Sequence, residues 1–126
     1  MPDASPTLLE NYRAAVTASP NSGEAHSNLG WGFYGQRQYA EAIQEFRHAL
    51  SLDRNLIDAH YGLGLALKES GAGAEAVPTF ETVLALAPQL ENAVRATMLS
   101  RLAQGHINQI KIGDWKLDKE LRHHED

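Results

Sequence analysis

The chain has six histidines and no cysteine, so proton transfer or metal ligation would have to rest on imidazoles and carboxylates. Disulfides, thiolate metal sites, iron–sulfur clusters and cysteine nucleophiles are excluded by composition. His123, His124, Glu125 and Asp126 place four nominal ligands side by side, but a cluster at the chain end is expected to be a hydrated, frayed tail. His26 and His60 stand 34 residues apart, as do Glu41 and Glu75. Such recurrence favours structural duty for both pairs. The histidines read as packing residues rather than ligands, and the acids as early helical residues that meet the positive end of the helix dipole. The sequence has no G-x-x-x-x-G-K-[ST] phosphate loop, no G-x-S-x-G elbow and no H-E-x-x-H zinc helix. The chain is therefore read as noncatalytic, with no cofactor and no metal.

The elements carrying these residues show themselves through self-comparison. Setting residues 23–56 over 57–90 gives eleven identities in 34 pairs, where composition alone would give roughly two or three. Ala25, His26, Leu29 and Gly30 meet Ala59, His60, Leu63 and Gly64; Ala40, Glu41, Ala42 and Phe46 meet Ala74, Glu75, Ala76 and Phe80. Within a unit, Ala25, Leu29, Gly32 and Phe33, then Ala42, Ile43, Phe46, Ala49 and Leu50, recur at helical steps. Turn residues separate the two runs, Gly35 to Gln38 in one unit and Ser70 to Gly73 in the next. Each unit is thus a helical hairpin, and the fold class is an all-α stack.

Boundaries repeat with the same period. Asn21, Asn55 and Gln89 are the expected N-caps, with Glu24, Asp58 and Asn92 three residues later, and Pro20 and Pro88 stop the preceding helices. Inside each hairpin, Gly30 or Gly64 and Ala42 or Ala76 permit close approach beside Phe46 or Phe80. Leu at either glycine is expected to overpack the pair by ~1–3 kcal/mol. Residues 6–18 (Leu8, Leu9, Tyr12, Ala15, Val16) form an N-terminal helix and residues 90–104 (Val94, Met98, Leu99, Leu102) a capping helix, so the repeat domain spans 5–104. For the C-terminal segment 105–126, two readings fit Ile107, Ile110 and Ile112: continuation of the helix past Gly105, or a short extended stretch. Trp115, Leu117 and Leu121 suggest a further short helix.

These units resemble the tetratricopeptide repeats, whose 34-residue pattern runs W-x2-L-G-x2-Y, then A-x3-F, then P. The first unit reads His26, Leu29, Gly30, Phe33, Ala42, Phe46 and Arg54; the second reads His60, Leu63, Gly64, Leu67, Ala76, Phe80 and Pro88. The resemblance implies an α-solenoid of two full repeats with flanking capping helices, packed through Leu29, Gly30, Ala42, Phe46, Leu63, Gly64, Ala76 and Phe80. It also implies a concave groove lined by the first helices, here Glu24, Ser27, Asn28, Trp31 and Tyr34, then Asp58, Tyr61, Leu65, Lys68 and Glu69, then Asn92, Arg95, Leu99 and Leu102. Places where some members grip a chaperone's terminal carboxylate hold Ser27, Trp31, Gly62, Asn92 and Ala96, so that clamp is not expected. An aromatic and aliphatic groove suits an apolar peptide or amphipathic helix of a partner protein, with Trp31 and Tyr61 as anchors. The implied function is a scaffold or assembly adaptor; the alternative is a homo-oligomer built on the same face. Cover of the groove by the segment around Ile110, Ile112 and Trp115 also fits.

With 126 residues, 43% of them hydrophobic, the chain has the apolar content of one domain. Its net charge of -5 disfavours nonspecific contact with nucleic acid or anionic lipid. Charge runs at 37–47 and 116–122 alternate in sign or are interrupted and read as solvated helix faces. The start lacks basic residues and an apolar run, which reads as no secretory leader. Neither nucleic acid nor membrane is expected as a partner, the expected location is cytoplasmic, and Met1 with helices at both ends is expected of a complete small chain.

Overall fold

The computed structural model describes residues 7–122, and the side chains of residues 7–112. It contains six α-helices: α1 (Leu8–Ala18), α2 (Gly23–Gly35), α3 (Tyr39–Leu52), α4 (Ile57–Glu69), α5 (Gly73–Leu86) and α6 (Ala93–Arg122), with a 3-10 turn at Ala87–Gln89. Helices α2 and α3 form one hairpin, and α4 and α5 the next. α3 packs on α4, α1 on α2 and α6 on α5, so successive helices stack into a short solenoid. No strand occurs among the described residues.

Helix starts differ from the expected caps by one residue or more. Ser22, not Asn21, caps α2, its Oγ accepting from the amide of Ala25 at 3.1 Å. Leu56 begins α4 without a side-chain cap, while Asn92 caps α6 by accepting from the amide of Arg95 at 3.0 Å. The frame is fixed by the first helical carbonyls, Ser22 for His26 and Leu56 for His60. Asn21 and Asn55 lie one residue too early to serve. At the N-terminus, Thr7 and Glu10 make a reciprocal capping box. No residue of α1 is buried; its half-buried Leu9, Tyr12 and Val16 pack against the core.

Both hairpin turns share one geometry. In the first, the amides of Arg37 and Gln38 donate to the carbonyls of Tyr34 and Phe33; in the second, those of Gly71 and Ala72 donate to Lys68 and Leu67. This paired bonding requires a left-handed residue after the helix, and Arg37 (φ 61°) and Gly71 (φ 88°) occupy it. The two positions are again 34 apart.

Phe46 and Phe80 are fully enclosed. A Cβ built at Gly30 would stand 2.8 Å from the Phe46 ring, and one at Gly64 would stand 2.7 Å from Phe80. Phe46 also abuts Gly62 of the following repeat, so one ring is wedged between two glycines and joins the hairpins. Leu29, Ala42, Leu63 and Ala76 complete the buried contacts around them.

α6 passes through Gly105 without a break. Burial explains the continuation: Ala103, Ile107 and Ile110 join the core, and Ile110 Cγ2 would lie 2.9 Å from a Cβ at Gly73 of α5. That apolar contact outweighs the ~1 kcal/mol helical penalty of one glycine. The extended alternative for 107–112 does not occur, and the helix starts at Ala93 rather than at residue 90. The side chains of Trp115, Leu117 and Leu121, the cluster His123 to Asp126, and Ser5 and Pro6 lie outside the described residues.

Candidate functional site

The inner face of the stack is lined by α2, α4 and α6. Trp31 of α2 is half-buried, its ring edge-on to Phe46 at 5.3 Å and to Tyr34 at 5.7 Å, and tilted towards Tyr61 of α4 at 6.2 Å. Tyr61 continues the row to His106 of α6 at 5.9 Å, and His106 stacks on Phe80 at 5.0 Å. Phe46 and Phe80 are thus the floor beneath three partly exposed rings, Trp31, Tyr61 and His106, and Tyr34 extends the row beside Trp31. Trp31 rests on Phe46, and Tyr61 and His106 rest on Phe80, while all three stay partly exposed, the arrangement that lets aromatics act as contact anchors.

Polar side chains tie α4 to α6 along the same face. Arg95 donates to the carboxylate of Asp58, and Lys68 donates to Gln109 and, at 3.0 Å, to Nδ1 of His106. Nδ1 therefore accepts, leaving the proton on Nε2, which donates to the Tyr61 hydroxyl at 3.2 Å. Burial, and then the Lys68 ammonium, hold the His106 imidazole below its ordinary pKa. Burial pushes the Tyr61 phenol up, and for Tyr34 burial and then the Glu69 carboxylate do the same. The groove is thus lined by neutral rings at neutral pH, with Arg95 paired to Asp58 and Lys68 held by His106 and Gln109 beside them.

Most of the residues anticipated for this face reach it. Asn28, Trp31, Tyr34, Tyr61, Leu65, Lys68 and Arg95 are half-buried, and Leu102 is 43% exposed. Arg95, Leu102 and Gln109 follow a seven-residue spacing, which sets Leu102 between the two α4-facing polar ties. Ser27 and Leu99 do not belong. Ser27 is 4% exposed, on the stripe with Gly23 and Gly30 that faces α3; Leu99 is 5% exposed and lies with Ala103 and Ile107 in the core. Neither can touch a ligand.

His106 and Gln109 were missed because Gly105 reads locally as a helix breaker. The available signal was the helical step from Leu102 to His106 and from Arg95 through Leu102 to Gln109. Of the residues expected to cover the groove, Ile110 is turned into the core and Ile112 is 62% exposed, while the side chain of Trp115 lies outside the described residues. Val94 and Met98 are also exposed on α6, so apolar surface continues round the groove edge from Leu102.

The recurring histidines have a common structural contact. Nε2 of His26 lies 2.8 Å from the carbonyl of Pro20, and Nε2 of His60 lies 2.8 Å from that of Arg54. Each imidazole latches the chain entering its repeat. No helix among the described residues is long and apolar enough to cross a membrane.

A family model described as TPR repeat matches residues 32–71, and one described as tetratricopeptide repeat matches residues 59–94. No curated protein matches the chain by sequence. Among solved structures, protein BPP2914 from Bordetella parapertussis is 22% identical with a TM-score of 0.72, covering 95% of this chain and 96% of that one. The Yersinia enterocolitica type III secretion translocator chaperone SycD is 18% identical with a TM-score of 0.75, covering 84% of this chain and 71% of its own. The second TPR domain of human RPAP3, solved in complex with an HSP70 peptide, is 25% identical with a TM-score of 0.62, covering 76% and 78%.

Proposed function

The chain belongs to the tetratricopeptide repeat family, and we propose that it is a noncatalytic scaffold or assembly adaptor whose α2, α4 and α6 face holds an apolar peptide or amphipathic helix of another protein. The observation that carries this reading is the row of half-buried rings from Tyr34 through Trp31 and Tyr61 to His106, backed by Phe46 and Phe80. Leu65 and Leu102 add aliphatic surface to the row. A face lined by aromatic and aliphatic side chains fits an apolar side-chain anchor better than a charged ligand. Two similar TPR domains were solved with Hsp70 peptides, which supports a peptide as the class of occupant. An acidic chaperone tail is a poorer fit, because Ser27 is buried and Gly62 abuts Phe46 where the clamp needs cationic and amide groups.

Capture from a lysate of the source organism tests the proposal, comparing wild type with Trp31→Glu and Leu65→Glu once melting curves show both variants folded. A protein retained by wild type and lost by both variants, and competed by a peptide cut from it, supports the groove. A protein retained equally by all three refutes it. A wild-type dimer that both substitutions split, with no partner captured, would replace the reading by self-assembly through the same face.

A further inference from the structure

We propose that His26, Glu45 and His48 form a binding site for a divalent transition metal of the zinc class, stapling α2 to α3 on the side of the first repeat away from the aromatic row. His26 is buried on α2, and Glu45 and His48 lie one turn apart on α3. One ligand atom from each falls within 4.8 Å of the other two, and the His26 and His48 rings lie 3.9 Å apart.

The tautomer of His26 is set by its backbone partner. The Pro20 carbonyl can only accept, so Nε2 carries a proton and donates to it at 2.8 Å. In a neutral imidazole Nδ1 then holds a lone pair, and a Glu45 carboxylate oxygen, another acceptor, lies 2.8 Å from it. Two acceptors at that separation need a cation between them, either a second proton shared by the ring and the carboxylate or a metal. For tetrahedral ligand bonds of about 2.0–2.2 Å, adjacent ligand atoms lie about 3.3–3.6 Å apart, so the Glu45 carboxylate would draw back from Nδ1 by roughly half an ångström or more as the metal enters. A ligating imidazole usually donates its other N–H to a carbonyl or carboxylate, which is the role Pro20 fills. His48 is exposed, so its ring can swing to close the third bond and leave an open position towards water.

The second repeat supplies an internal comparison. His60 makes the same bond to a backbone carbonyl, yet the positions matching Glu45 and His48 are Thr79 and Thr82. The backbone latch therefore does not require the acid or the second imidazole, and these two groups are an addition peculiar to the first repeat. Two imidazoles and one carboxylate are a set that suits zinc and its borderline neighbours rather than magnesium or calcium.

Calorimetric titration of the full, tag-free chain with Zn2+ tests the site, using His48→Ala, Glu45→Gln and the tail variant His123→Ala/His124→Ala. The expected result is one strong equivalent in wild type and in the tail variant, weakened at least tenfold by His48→Ala and by Glu45→Gln. Cobalt(II) should give visible ligand-field bands in wild type that His48→Ala abolishes. Equal Zn2+ affinity in wild type and His48→Ala would overturn the proposal, as would loss of binding only in the tail variant. No strong equivalent in wild type would leave the second proton as the bridging cation and equally overturn it.

Discussion

Adding one methyl group at Gly62 should cost more than the helix gains from it. A Cβ at this position would lie 2.6 and 2.8 Å from two Phe46 ring carbons and nearer still to Cζ, where ordinary contacts begin at 3.4 Å. The shortfall is at least 0.8 Å (3.4 minus 2.6), against a ring that is fully enclosed and already touched by Gly30 from the other side. Overpacking of this kind costs ~1–3 kcal/mol, and the gain in helix propensity from Gly to Ala returns about 1 kcal/mol. With the ring confined on both faces the upper part of that range applies, giving a net loss of about 1–2 kcal/mol for Gly62→Ala. For a chain of 126 residues this is a fall in Tm of about 4–8 °C. Gly105→Ala is the matched control, because nothing lies within 4 Å of a Cβ there and only the propensity gain remains. Thermal and urea melts of both variants, and of Gly62→Ala combined with Phe46→Leu, separate the two effects. The cost should shrink when the ring is replaced by the smaller side chain. A Gly62→Ala protein as stable as Gly105→Ala would refute the wedge.

Two further predictions concern the turn and the groove. Arg37→Gly should stabilise the fold by about 0.5–1 kcal/mol, since a side chain in the left-handed region costs ~1–2 kcal/mol and the added freedom of unfolded glycine offsets only part of it; Gly71→Arg should have the reverse effect, and denaturant melts of the two variants decide. The imidazole of His106 should titrate below 6.5 by NMR, burial being the first cause and the Lys68 ammonium the second. Because its folded pKa is depressed, the unfolded chain takes up the proton first as pH falls. The stability linked to His106 is therefore whole above pH 6.5 and is lost as pH drops through the depressed folded value. Melts at pH 7.5 and 5.5 should show a larger loss for wild type than for His106→Gln, and equal losses would count against this assignment.

The hairpin architecture was legible because periodicity survives drift: eleven shared residues in 34 pairs mark the same helix faces twice. The family resemblance, carried onto this chain by register, puts Trp31 and Tyr61 on the inner face, and the structure brings their rings to 6.2 Å of each other. Ser27 and Leu99 misled because register places a residue on a helix face but not the depth to which a neighbouring helix covers it. Gly105 misled for the complementary reason, since its local helix penalty is small beside the burial of Ala103, Ile107 and Ile110. The meeting of His26 with Glu45 and His48 was hidden by long-range packing between helices: nothing in the spacing of 26 against 45 and 48 shows that their side chains adjoin.

The two polar ties between α4 and α6 bear on how quickly the groove can be used. Asp58 with Arg95, and Lys68 with His106 and Gln109, fasten the helices at points ten residues apart along α4, a span of about 15 Å. Helices held at two separated points resist both splaying and twisting, so the aromatic row keeps its spacing without a ligand. A partner bound as proposed would then cost this side of the contact little conformational entropy. Association of such a partner would be governed by encounter and orientation, at rates on the order of 10⁵–10⁷ M⁻¹s⁻¹, without a slow rearrangement of the receptor.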